Sequence, residues 1–152
     1  MRSGPVLLDT DTLSELCRGN QHVVHRARSY LETHGRLTTS AVTVFERLRG
    51  YELAIQHGKA VDSQLQSFRA LVAACVVLPF DDEAAGIAAS IWGRAARALR
   101  QQLGDILIAS VAISRHLSLV TRSRRDFEAL AKAGGFELDL IDWTRAEARR
   151  SR

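Results

Sequence analysis

The sequence predicts an α/β domain of three layers, a parallel central sheet flanked by helices on both faces. Three observations lead to that class. Short apolar runs of strand length alternate along the chain with segments of helical periodicity. The helical segments fall between the strands, so successive strands are joined by crossovers and run parallel. The chain has 152 residues, 46% hydrophobic and 25% charged, which suits a single ordered domain with a sizeable core.

The elements follow in order. PVLLD, residues 5–9, is an apolar run ended by polar residues and reads as a buried strand. TLSELCRG is a short helix closed by Gly19, and HVVHRARSYLETHG a longer one stopped by Gly35. RLTTS is a weak strand. SAVTVFERLRGYELAIQHG is a helix in which Ala41, Val44, Phe45, Leu48 and Ile55 share one face, ending at Gly58. A further helix covers residues 59–74, and CVVLPF is a strand that Pro79 terminates. Residues 82–102 read as one long helix studded with arginine. DILIASVAIS is almost wholly apolar, and its small residues Ala109, Ser110 and Ala112 let a helix approach a sheet closely. LSLVT is a strand, RDFEALAKAGG a helix ending in glycines, and FELDLI a last strand. The single domain is expected over residues 1–145, with a basic, solvated tail over 146–152.

Charge and cysteines narrow the setting. Of 21 basic residues 19 are arginine, with only Lys59 and Lys132 besides, and the net charge is +4. Guanidinium forks grip phosphate oxygens in pairs, so RNA or DNA is a candidate partner, although a GC-rich coding sequence produces the same bias. Cys17 and Cys75 are isolated and fit no metal or redox spacing, as expected in a reducing cytoplasm. The longest apolar run, ALVAACVVLPF, is too short to span a bilayer, and MRSGPVLLD has no signal-peptide pattern.

Four acids stand where chemistry would be placed. Asp9 follows the first strand, Asp105 opens the most apolar helix, Asp126 comes shortly after LSLVT, and Glu46 lies in TVFERLRG. Each also has a local explanation. Asp11 or Thr12 could cap the first helix with Glu15 completing a box, Asp105 could cap after Gly104, and Ser123 with Asp126 makes a looser box. As a set they are harder to explain locally. Carboxylates gathered at one sheet edge repel one another unless a cation neutralises them, and an all-oxygen set favours magnesium or manganese over zinc. Ligands of parallel sheets collect beyond the carboxyl ends of the strands, where strand order reverses.

LLDTDTLSEL, TTSAVTVFERLRG, GDILIASVAI and LVTRSRRDF occur in the order and spacing of PIN-domain ribonucleases. Over nearly the whole chain the sequence resembles the VapC toxins of prokaryotic toxin–antitoxin pairs. The resemblance implies a PIN-like fold and a metal-dependent endoribonuclease that inhibits translation and growth. Asp9, Glu46, Asp105 and Asp126 would be the catalytic acids around Mg2+ or Mn2+, with Asp11, Ser40, Thr121 and Ser123 in support. It implies in-line hydrolysis that leaves a 3′-hydroxyl and a 5′-phosphate. Arg122, Arg124 and Arg125 are candidates to hold the RNA backbone, with tRNA or rRNA as substrate classes. The implied partners are a VapB-type antitoxin and a second copy of the chain, in a homodimer and a toxin–antitoxin hetero-oligomer, with no membrane. Two positions depart from the family pattern. Asp11 and Ser123 both stand where asparagine is usual, which adds a charge at one and removes an amide at the other.

Two other readings compete. VLLDTDTL also fits the opening of haloacid-dehalogenase-type phosphatases, in which Asp9 would be the nucleophile and Asp11 the general acid and base. Thr39 or Ser40, then Lys59, then Asp81 and Asp82 would complete that set, but Glu46, Asp105 and Asp126 would have no role. An arginine-rich binding module without catalysis would need no acid cluster at all. Trp92 and Trp143 are candidates to stack on bases. Val23, Leu31, Leu65, Phe68 and Leu71 are expected to leave apolar surface for a second subunit or a partner helix.

Overall fold

The computed structural model describes residues 4–146. Five strands form one sheet: β1 (Val6–Leu8), β2 (Thr38–Ser40), β3 (Val76–Leu78), β4 (Ser118–Val120) and β5 (Leu140–Ile141). Their order is β3-β2-β1-β4-β5 and every pairing is parallel, with Leu7 opposite Leu119 and Thr39 opposite Val77. The chain builds outward from β1 to β3, then returns to add β4 on the other side of β1. The reversal of strand order therefore lies between β1 and β4, and a crevice opens there at the carboxyl ends.

Eight helices of the described residues cover the sheet, making the α/β/α arrangement the sequence predicts. They are α1 (Thr10–Cys17), α2 (Gln21–His34), α3 (Ala41–Gln56), α4 (Asp62–Ala74), α5 (Asp82–Arg94), α6 (Arg97–Arg100), α7 (Leu103–Ser114) and α8 (Arg124–Gly134). The strands' period of two divides the core. Val6, Leu8 and Val120 face Leu13, Val23, Tyr30 and Phe68 of α1, α2 and α4, whereas Leu7 and Leu119 face Ala84, Ile108, Ala112 and Phe127 of α5, α7 and α8. Each such Leu or Phe, fully withdrawn from water, contributes ~2 kcal/mol. Ala109, Ser110 and Ala112 are all buried, so the small face of α7 does lie against the sheet layer. Helix α2 stops where predicted: Gly35 takes φ +78°, and its N–H donates to Leu31 O at 2.8 Å. No described helix is long and apolar enough to cross a membrane.

Several expectations are corrected. Residues 82–102 do not form one helix, because Ala95 turns extended (ψ 146°) and the chain restarts at α6. Arg100 folds back to cap the end of α5, with Nε donating to Trp92 O at 2.9 Å and its guanidinium 4.3 Å above the Trp92 ring. Of the α3 face named from periodicity, only Val44 and Leu48 pack against the core. Phe45 is 60% exposed and Ala41 and Ile55 are exposed too, while Val42 and Thr43 are buried. Val23 and Phe68 belong to the core, Leu65 and Leu71 are half-buried, and of that group only Leu31 is exposed. Trp143 is buried against Tyr30, so only Trp92 of the two tryptophans is open to a base. The strand expected over FELDLI shortens to two residues. The basic tail, Ala146 apart, lies outside the described residues.

Candidate acidic site at the carboxyl edge

Asp9 leaves β1 at the reversal point. Its N–H donates to Val120 O of β4 at 3.1 Å, and its Oδ1 accepts from Thr12 N at 2.9 Å. The cap of α1 is thus Asp9 and neither Asp11 nor Thr12. Thr12 instead donates its hydroxyl to Val120 O at 3.0 Å, and Glu15 is engaged by Arg18 and Asn20. Only 3% of Asp9 is exposed. Burial, then a hydrogen bond and the charge of Asp11, push its carboxyl up to about 8; the Thr121 hydroxyl and Thr12 N–H pull the other way without prevailing. Without a cation nearby, Asp9 holds its proton well above the ordinary carboxylate range.

Asp11 and Ser123, the two departures from the family pattern, meet each other. Ser123 Oγ donates to Asp11 Oδ2 at 3.1 Å, and Arg122 N–H approaches Asp11 Oδ1 at 3.5 Å. Ser123 makes no capping bond to α8, so the loose box with Asp126 does not form; its own N–H rests on Thr121 Oγ1 at 3.0 Å. An acceptor at 11 and a hydroxyl donor at 123 satisfy one another across the β1–β4 crevice.

Glu46 comes from the first half of α3, whose start is set by Ser40. The buried Ser40 Oγ accepts from Thr43 N at 3.1 Å, so Ser40 supports α3 and does not line the cleft. Thr10 donates to Glu46 Oε1 at 2.7 Å, and Arg49 lies 3.5 Å from Oε2. Gly104 forms the opposite wall: a Cβ there would stand 2.6 Å from Glu46 Oε2. Thr10 and Gly104 were not among the residues the sequence pointed to. The only signal was adjacency, Thr10 between two aspartates and Gly104 before Asp105.

Asp105 sits in the first turn of α7, and that helix has no side-chain cap. Its capping explanation therefore fails. Among the described residues no group donates a hydrogen bond to it; burial first, then the charges of Glu46, Asp126 and Asp11, raise its pKa to about 6. Asp9, Asp11, Glu46 and Asp105 line one cleft of about 270 Å3 with Arg122 and Ser123 at its edge. Asp126 is exposed and lies in the adjoining arginine-lined groove of about 750 Å3, with Arg122, Arg124 and Arg125, so it acts on Asp105 from the rim.

Among the described residues no three Asp, Glu, His or Cys side chains close around a point as a ready-made metal cage. The donors still suit a hard dication that keeps much of its water. They are oxygen only, one half-buried carboxylate has no protein donor, and three acids act on it. Gly104→Ala tests the wall. The added methyl must displace the Glu46 carboxylate, so, on the expectation of a metal-dependent ribonuclease, RNA cleavage with Mg2+ should fall about tenfold or more, with a melting temperature near wild type because only a flexible side-chain end moves. Wild-type activity in that variant would show that the position of Glu46 does not matter.

The PIN-domain profile matches residues 6–133, most of the chain. The chain belongs to the PIN-domain family. PIN domains are nucleases, generally dependent on divalent metals. No curated protein gives a significant match. Among solved structures, a chain of DNA-bound VapBC from Salmonella typhimurium superposes with a TM-score of 0.70 at 24% identity, covering 91% of this chain and 98% of that one. A chain of VapBC2 from Rickettsia felis, bound to a fragment of its promoter DNA, has a TM-score of 0.70 at 17% identity, with 92% and 99% covered. FitAcB from Neisseria gonorrhoeae gives 0.68 at 24%, with 93% and 99% covered. Membership in the PIN family displaces the phosphatase reading, and the cleft agrees. Lys59, Asp81 and Asp82 do not line it; Asp81 caps α5 and pairs with Arg115 at 2.8 Å.

Proposed function

We propose that this PIN domain is a divalent-metal-dependent endoribonuclease and the toxin half of a toxin–antitoxin pair. The observation that carries the nuclease reading is Asp105, a half-buried carboxylate with no donor among the described residues and three acids acting on it. Such a group is costly unless a cation is its partner. Asp9, Glu46 and Asp105 would hold Mg2+ or Mn2+, with Asp126 contributing from the rim. When bound, the cation lowers the pKa of a water and offsets charge building on the phosphate.

The protein's own groups do the rest. Thr12 N–H and Thr121 orient Asp9, Thr10 and Gly104 position Glu46, and Ser123 holds Asp11. Arg122, Arg124 and Arg125 line the groove that continues from the cleft, where they would hold the RNA backbone. The toxin reading rests on the likeness to chains of VapBC and FitAcB structures, and implies a VapB-type antitoxin as partner in a hetero-oligomer, with a homodimer of this chain.

The test is cleavage of RNA by the purified chain with Mg2+, with EDTA, and by Asp9→Asn. Cleavage is expected only in the first. Cleavage that survives EDTA and the substitution would sink the metal site. The toxin half is checked separately: expression of the chain alone should arrest growth, and co-expression with its antitoxin should restore it.

A further inference from the structure

The two oxygens of Glu46 are held from different sides. Thr10 donates to Oε1 at 2.7 Å, a neutral bond that leaves the acid's charge unanswered. Oε2, the oxygen that Gly104 makes room for, faces Arg49, whose Nη2 lies 3.5 Å away. Phe45, Glu46 and Arg49 stand within about one turn of α3, at the spacing that lets i, i+3 and i+4 meet. The Arg49 guanidinium also rests 5.5 Å from the Phe45 ring centroid. Arg47, the other arginine of this run, turns away to Ser14 and Tyr51, so it is Arg49 that reaches the acid from α3.

This contact is built to be broken. It is single-pronged and long, and the Arg49 side chain is 62% exposed against 18% for Glu46. Ion pairs of that kind hold weakly. A dication entering the cleft carries twice the charge and is drawn by Asp9 and Asp105 as well as by Glu46, so it takes Oε2 from Arg49. Arg49 is then without its acid and beside a like charge. The exposed Phe45 ring keeps the guanidinium at the rim of the cleft all the same. An anion that can sit against both a dication and a guanidinium fork is a phosphodiester, whose paired oxygens match the fork.

We infer that Arg49 exchanges partners: it pairs with Glu46 while the cleft is free of metal, and grips an RNA phosphate once a divalent cation holds Glu46. The inference rests on the reading of the cleft as a metal-dependent site for RNA. It adds an order of events, cation before substrate, and a positioning residue on α3, across the cleft from Arg122. Phe45 is the surface on which the guanidinium stays docked through the exchange.

The test compares the full-length protein with Arg49→Met, which keeps the stem and removes the charge. Calorimetry of the RNA-free protein with Mg2+ alone should show Arg49→Met binding the ion about threefold or more tightly than the wild type, because nothing competes for Glu46. RNA binding should change in the opposite direction. Labelled single-stranded RNA, with Ca2+ in place of Mg2+ so that binding is read apart from cleavage, should bind Arg49→Met about tenfold more weakly. Its salt dependence should be shallower by about one unit. In EDTA, where Glu46 keeps Arg49, the substitution should change RNA binding little. Arg49→Lys should return Mg2+ affinity to the wild-type value but recover only part of the RNA binding, since it keeps the charge and lacks the fork. An ion pair that only steadied α3 would lower the melting temperature of Arg49→Met and leave Mg2+ affinity as it was. That result overturns the inference. So does RNA binding that is unchanged by the substitution, or that weakens equally in EDTA and in Ca2+. Cleavage of RNA by the wild type separates the two proposals. Cleavage with none of these shifts sinks only the exchange, and the shifts in a chain that never cleaves RNA sink only the nuclease.

Discussion

Asp105→Asn should reduce Mg2+-dependent RNA cleavage on the order of 10²–10³-fold, the usual cost of losing one preorganised electrostatic group. It should do so without weakening the metal-free fold. Asp105 caps nothing, since α7 begins without a side-chain cap, and it accepts no hydrogen bond among the described residues. What it meets instead is burial and the charge of Glu46, Asp126 and Asp11. An amide of the same shape removes that repulsion, so the melting temperature in EDTA should hold or rise. Cleavage rates and circular-dichroism melts of the same preparations decide the matter. Full activity would sink the site, and a collapse of the fold would show that the carboxylate had a structural task.

Without metal, the protein should lose stability as pH rises from about 4 toward 8, and a divalent cation should restore it. The sign follows from the two raised acids. In the unfolded chain Asp9 and Asp105 release their protons near 3.8, but in the folded chain they hold them to about 8 and about 6. Between those values the native state binds more protons than the unfolded state, so stability falls with increasing pH. The Asp105 contribution is gone above about 6, and that of Asp9 only above about 8. Glu15, which is lowered by Asn20 and Arg18, works in the opposite direction but only below its ordinary range near 4.5. Thermal melts in EDTA across this range should therefore slope downward, and Asp9→Asn should flatten the upper half of the slope. Mg2+ should raise the melting temperature most at high pH, because its carboxylate ligands must be deprotonated. A wild-type protein that gains stability from pH 5 to 8 in EDTA would contradict the buried acid pair.

Local signals in the sequence were enough for most of the elements and for the positions of Asp9 and Asp105 at their ends. A run such as VLLD, short, apolar and closed by polar residues, suits a buried strand, and glycines such as Gly35 stop helices by the positive φ they permit. The small face of DILIASVAIS is that of a buried helix, as the structure has it. Asp9 and Asp105 were legible because an acid beside an apolar run needs a reason. Their alternative as local caps was equally legible, and for Asp9 the cap is real as well.

The tertiary structure decided what these groups face. Asp11 meets Ser123 only because β4 adds beside β1, which joins residues 112 positions apart. Glu46 is held by Thr10 and walled by Gly104, neither of which shares its helix. The helix expected over 82–102 breaks at Ala95 without a proline, since Arg94 bonds Gly134 O and Arg100 caps the carbonyls of Trp92 and Gly93. Phe45 lies on the apolar stripe of α3 yet is exposed, because the sheet and α4 take the neighbouring face. Periodicity reports how a segment can bury itself, a property of a few consecutive residues. Which carboxylate loses its water, and which charge stands beside it, depends on strand order and on side chains far apart in the chain; those long-range contacts alone set the field at Asp105.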